Sequence, residues 1–165
     1  MVHVSTADNP NFHTLGAHYL NADTSVFMQA LQSDLFTRFP NLRFVIPHGG
    51  GAVPFHWGRY RGLAVRNDWQ DPTELLRNIS FDTAVYHQPG IDLLLDVVPS
   101  TSVLFASEML GAVRGADPET GVEWDDTLVY LRNAGLDEID WERVTSGNAL
   151  RVYPRLAARL GEQSE

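Results

Sequence analysis

Four short apolar runs, Val2-His3-Val4, Leu42 to Ile46, Asn78 to Phe81 and Val103 to Ala106, are separated by loops and by stretches with helical spacing. This alternation constrains the fold more than any other feature. Strand followed by helix, four times over, makes the strands parallel and joins them by right-handed crossovers. The second run ends most abruptly: Phe44-Val45-Ile46-Pro47 leads into His48 and then Gly49-Gly50-Gly51. Val45 and Ile46 favour a buried, extended backbone. The three glycines can take positive φ and let main-chain amides approach a ligand closely. Two alternatives stand here, an active-site strand end and a strand-to-helix turn carrying an incidental histidine.

The first helix is expected to be capped by Asp23 or Thr24, with Val26, Phe27, Ala30, Leu31, Leu35 and Phe36 at helical spacing up to Phe39-Pro40. A second should run from Pro54 to Val65, with proline near its first turn, where the missing donor does least harm. A third should run from Pro89 to Val98. Met109 to Trp124, rich in Gly, Asp and Pro, is a longer loop than compact domains usually carry without a functional reason, and it is expected to cover something. From Asp125 the pattern turns helical again, with Leu128, Leu131, Ile139, Val144, Leu150 and Leu156 facing inward.

A chain of 165 residues with 44% hydrophobic content is expected to form one domain over residues 1–165. Its longest apolar runs are too short and too charged to cross a bilayer, and Met1 does not begin a signal peptide, so a cytoplasmic location is expected. With no cysteine there are no disulfides and no thiolate chemistry, and any metal must be held by His and carboxylate ligands. The net charge of −9, with no Lys/Arg cluster, argues against a nucleic-acid partner. A small anionic ligand remains open if the site supplies local positive charge.

In a parallel arrangement the carboxyl ends of the strands share one mouth, where such folds assemble their sites. The four ends carry His3, His48, Asp82 and Glu108. Each alone has a structural reading, and Asp82 can simply cap the following turn. Four ionisable ends together, on strands that are ordinarily continuous apolar runs, point to a metal or acid/base centre.

The segments His48-Gly49-Gly50-Gly51-Ala52-Val53-Pro54 and Ser107-Glu108-Met109-Leu110-Gly111-Ala112-Val113-Arg114-Gly115, with Gly16 to Asp23 and Phe81 to Gly90, carry a family resemblance. The chain resembles the metal-dependent amidohydrolase-related (amidohydrolase 2) group of TIM-barrel enzymes, which includes decarboxylases, hydrolases and hydratases. The resemblance implies an α/β fold, the carboxyl-terminal half of a (β/α)8 barrel with about four parallel strands. A complete barrel needs about 250 residues, and the His-x-His pair that opens the family's barrel is missing here. Most relatives place aspartate after serine at the last strand. Glu108 at that point favours a hydratase over a decarboxylase.

By that resemblance His3 is a metal-binding histidine holding zinc, or another divalent metal. His48 is a general acid/base, and Glu108 a metal ligand or the base that handles the water proton. The implied reaction adds water to a conjugated, unsaturated keto tricarboxylic acid in the breakdown of aromatic compounds such as protocatechuate or gallate. Arg114, Tyr19, His18 and Asn21 are the candidate substrate-binding residues, with Arg59 and Arg61 as weaker candidates that otherwise solvate a helix. His13 and His56 read as structural, His87 stays open, Asn148 is expected to bond backbone and Tyr153 to pack. Missing strands leave sheet edges, so the chain is expected to self-associate or to bind a complementary amino-terminal half. The competing readings are a non-catalytic remnant or interaction partner, and a decarboxylase or hydrolase of the same group.

Overall fold

The structure is a computed structural model that describes Met1, His3, residues 13–109 and residues 113–161. Three strands, β1 (Phe44–Ile46), β2 (Ile79–Asp82) and β3 (Val103–Leu104), form a parallel sheet in the order β1-β2-β3. Phe44 pairs with Ile79, Ile46 with Phe81, Phe81 with Val103 and Asp82 with Leu104. All four residues of β2 are buried, as expected of a central parallel strand covered on both faces. The expected strand at Val2 to Val4 lies outside the described residues apart from His3, which is not in a strand.

The chain order supplies the crossovers. Helix α1 (Tyr19–Gln32) precedes β1, and α2 (Leu35–Arg38) lies between them. Helices α3 (Trp57–Asn67) and α4 (Pro72–Leu75) join β1 to β2, and α5 (Gln88–Val97) joins β2 to β3. After the long loop come α6 (Thr127–Asn133), α7 (Glu138–Glu142), α8 (Asn148–Val152) and α9 (Pro154–Leu160). Phe27 and Leu31 from α1, Ile46, Ile79 and Phe81 from the sheet, Leu94 from α5, Leu131 from α6, and Val144 share one core.

Several boundaries differ from the sequence expectation for physical reasons. Helix α1 starts at Tyr19, entered through a π-helical turn, Thr14–His18, whose cap is His13 Nδ1 accepting the Gly16 N–H at 3.1 Å. Asp23 is therefore inside the helix and caps nothing. The second helix starts at Trp57 rather than Pro54, because consecutive turns occupy residues 51–56 after the glycine run. Strand β3 stops at Leu104 instead of Ala106. Beyond it Phe105 N–H donates to Val144 O at 2.8 Å, and Ala106 exchanges hydrogen bonds with the Thr83 hydroxyl at 2.9 Å. A side chain there replaces the main-chain ladder. In the last third Leu131 and Val144 are buried as expected, whereas Ile139 and Leu156 are exposed; Leu136 and Trp141 pack on the core around α7 instead. Tyr153 is also exposed, at the joint between α8 and α9.

Asn148 does bond backbone: its Nδ2 donates to Ser100 O at 2.7 Å and Val103 O at 2.8 Å. Arg151 donates to Thr101 O at 2.6 Å beside it. The described part of the long loop is non-helical, with an isolated antiparallel bridge between Ala116 and Glu123; Leu110 to Ala112 lie outside the described residues. No helix among the described residues is long and apolar enough to cross a membrane.

Candidate active site

At the carboxyl end of β1 the backbone does something unusual for a side-chain-bearing residue. His48 has φ 54°, and Gly49, Gly50 and Gly51 follow at 63°, 79° and 63°. A left-handed conformation costs a non-glycine residue about 1 kcal/mol and persists where the surroundings over-determine it. The glycines are obligatory for space as well as for φ. A Cβ on Gly50 would meet the Phe81 ring at 2.6 Å, and one on Gly51 would meet Thr24 Oγ1 at 2.6 Å and the Leu20 carbonyl closer still. The turn thus packs directly on α1 and on β2.

This backbone delivers the His48 imidazole between two carboxylates. Its Nδ1 lies 2.7 Å from Asp23 Oδ2 and its Nε2 lies 3.3 Å from Glu108 Oε1. Glu108 Oε2 accepts a hydrogen bond from the Tyr86 hydroxyl. Burial works against a charged imidazole, but the hydrogen bonds to Asp23 and Glu108 and their negative charges outweigh it, and the His48 pKa is pushed up to about 10. Glu108 is held below the usual carboxylate range, first by the His48 hydrogen bond and then, against its burial, by Tyr86 and the charges of His48 and His3. At neutral pH the pair is an imidazolium beside a carboxylate.

The other residues singled out from sequence are placed as follows. His3 is in the same group: its ring centroid is 6.2 Å from that of His48 and 5.8 Å from that of Tyr19. Tyr19 lies parallel to His48, with an interplanar angle of 2° and a centroid separation of 5.9 Å. His18 stands behind Tyr19, 6.0 Å away and tilted by 47°. Asp82 is buried under the glycine turn, where its Oδ1 accepts N–H bonds from Ala84 at 3.1 Å and Gly49 at 3.4 Å. Burial outweighs those bonds and pushes its pKa up to about 6. Asp82 therefore caps the following turn and ties the glycine turn to β2.

A cleft of about 660 Å³ opens over this group. Tyr19, His48, Tyr86, His87 and Glu108 form part of its wall, with Leu15, Leu20, Phe55, Val85, Leu93 and Val113 supplying much of the rest. No Arg or Lys lines it among the described residues. Arg114 is exposed just beyond Val113, and Asn21 is exposed on α1 beyond Leu20; neither contributes to the wall. Arg59 and Arg61 are exposed on α3, and His56 packs edge-on to the exposed Phe55.

Two residues of the cluster escaped sequence reasoning. Asp23 looks like a helix cap, yet it lies four residues before Phe27 on the stripe that α1 buries with Ala30 and Leu31. That helical spacing was the available signal. Tyr86 carries no pattern of its own, and only the tertiary fold shows that its hydroxyl reaches Glu108.

Imidazole and carboxylate are suitable donors for a divalent cation, and His3 and Glu108 both lie beside His48. Their number falls short: no group of three His, Cys, Asp or Glu among the described residues is arranged to hold a metal ion.

A model of the amidohydrolase family matches residues 1–155. The chain belongs to the amidohydrolase family. It is 54% identical over 162 residues to the 2-keto-4-carboxy-3-hexenedioate hydratase of a Sphingobium species, covering 97% of this chain and 47% of that protein. The crystal structure of 4-oxalomesaconate hydratase from Rhodopseudomonas palustris superposes with a TM-score of 0.86 at 58% identity, covering 91% of this chain and 47% of that one. A dihydroxybenzoic acid decarboxylase from a Polaromonas species, solved with bound manganese, matches with a TM-score of 0.64 at 14% identity over 88% and 42% of the two chains, a likeness of fold. This amidohydrolase chain thus spans about half the length of the relatives it matches, and its three parallel strands and their helices are part of the family's TIM barrel.

Proposed function

We propose that this chain carries catalytic machinery of a hydratase that adds water across the conjugated double bond of an unsaturated keto tricarboxylic acid, in the breakdown of aromatic compounds. The observation that carries the reading is the Asp23–His48–Glu108 alignment at the cleft, in a chain 54% and 58% identical to two hydratases. Such an addition needs one group to take a proton from water and another to give a proton to the enolate-like carbon. Glu108, kept ionised by His48, is the acceptor. His48, kept protonated by its two carboxylates, is the donor. The Tyr86 hydroxyl holds the second oxygen of Glu108.

His3 and Glu108 would hold the divalent metal, zinc on the strength of the resemblance, which supplies a more acidic water when bound. The remaining ligands must come from residues outside those described, or from a complementary amino-terminal half or a second copy of the chain. Tyr19 in the cleft wall is the leading substrate contact, with Arg114, His18 and Asn21 at its margins. A cytoplasmic setting agrees with the cysteine-free composition.

The test is ultraviolet absorbance of the conjugated acid mixed with the purified chain and zinc. Loss of the conjugated band, abolished by a chelator and restored by metal, is the expected result. A band that persists with the chain alone, and also after an amino-terminal half is supplied, would overturn the proposal.

A further inference from the structure

Asp23 is only 1% exposed, and while its Oδ2 meets His48, its Oδ1 is buried with no hydrogen-bond partner among the described residues. A carboxylate withdrawn from water with half its acceptors unused is costly, and an aliphatic side chain at this point on the buried stripe of α1 would avoid that cost. One turn earlier on the same face, the Tyr19 ring lies parallel to the same imidazole, with centroids 5.9 Å apart. Residues spaced by four share a helix face, so a single turn of α1 places both Asp23 and Tyr19 beside the His48 ring.

That turn is itself held in place. Thr24 Oγ1 donates to Leu20 O at 2.8 Å and accepts the Ala52 N–H at 2.9 Å, and Gly51 leaves no room for a side chain between the two segments. The anchoring of α1 to the glycine turn is thus accomplished without Asp23. What Asp23 alone supplies is a partner for Nδ1, which leaves Nε2 as the ring nitrogen facing Glu108.

We propose that Asp23 is a positioning residue that acts through His48, accepting the Nδ1 proton so that the ring presents Nε2 to Glu108 and the cleft, with Tyr19 limiting its rotation. The catalytic part of this inference rests on the hydratase reading; the ring geometry does not.

The test compares Asp23→Asn, which keeps the shape of the side chain, and Asp23→Ala with the parent. Circular dichroism checks the fold. Nitrogen-15 spectra at one neutral pH report the His48 ring, identified by its loss in His48→Asn. Hydration kinetics with added zinc give kcat and KM. Both His48 ring nitrogen signals should move in the variants, and kcat should fall by about tenfold to a hundredfold, the range seen when the partner of a site residue is removed, with KM within about twofold. Parent-like ring signals in a folded Asp23→Asn protein would overturn the proposal, even if its melting temperature drops, because the role would then be structural. Unchanged kcat in both variants would overturn it as well. If the parent shows no hydration even with an amino-terminal half supplied, the hydratase reading fails and the ring signals alone decide the role of Asp23.

Discussion

The two ends of the small sheet use their polar side chains differently. At the end away from the cleft, such side chains are spent on backbone. Asn148 serves Ser100 O and Val103 O, Ser102 serves Leu76 O at 2.8 Å, and Asn78 donates to Pro40 O and Leu42 O at 2.8 Å each. At the cleft end Asp82 and Thr83 also serve backbone, but a second set of side chains contact one another: Asp23 with His48, His48 with Glu108, Glu108 with Tyr86. Among the described residues one of their oxygens is left unpaired, and the histidine backbone is held in a left-handed conformation. Groups that tie down carbonyls hold the fold together. Groups poised against one another, at some cost in stability, remain available for proton transfer.

The sharpest way to break this contrast is Glu108→Gln. With the carboxylate neutralised and its size kept, hydration should slow roughly a thousandfold while the melting temperature drops only as far as loss of the His48 ion pair requires. Full activity would remove Glu108 from the chemistry. Gly51→Ala should be the costliest change to the fold. It asks for a left-handed alanine where Leu20 and Thr24 already stand, and a loss of about 3 kcal/mol in chemical denaturation is expected.

Asn148→Ala tests the opposite end. Two buried carbonyls would lose their partner, and about 2 kcal/mol of stability should go with them, with the His48 ring signals unmoved. A change in those signals would show that the two ends are coupled.

A further test is the pH dependence of the imidazolium–carboxylate cluster. His48 is raised above its ordinary 6.5, so its stabilisation is full below that value and is lost as pH rises through about 10. Glu108 is lowered from 4.5, so its stabilisation is full above that value and is lost as pH falls through the lowered one. In metal-free buffer, the stability gap between parent and His48→Asn should be widest near pH 5 to 6.5 and should close toward pH 10. A gap that is constant over this range would mean that the cluster is not an ion pair.

How much of this was legible beforehand follows from the range of the interactions. The parallel α/β arrangement, β1 and β2, the span of α5 and the positive φ of the glycine run are written in local patterns: apolar runs, helical spacing and residues without Cβ. The resemblance pointed to His3, His48 and Glu108, and the fold brings all three to one rim. Asp23 was misread because a cap and a buried helical position present the same residue type, and the entry of α1 through a π-helical turn is not a sequence signal. The early end of β3 depends on one threonine hydroxyl, and Ile139 and Leu156 face outward because short helices leave packing choices to their neighbours.

The amino-acid order determined that parallel strands would carry ionisable residues at their carboxyl ends, since that follows from residue types and their spacing along the chain. Only the tertiary structure decided which of them meet. The separations from Asp23 to His48 and from His48 to Glu108 are 25 and 60 residues. Contacts over such distances are set by how α1, the glycine turn and the segment just after β3 pack together, which no local pattern encodes.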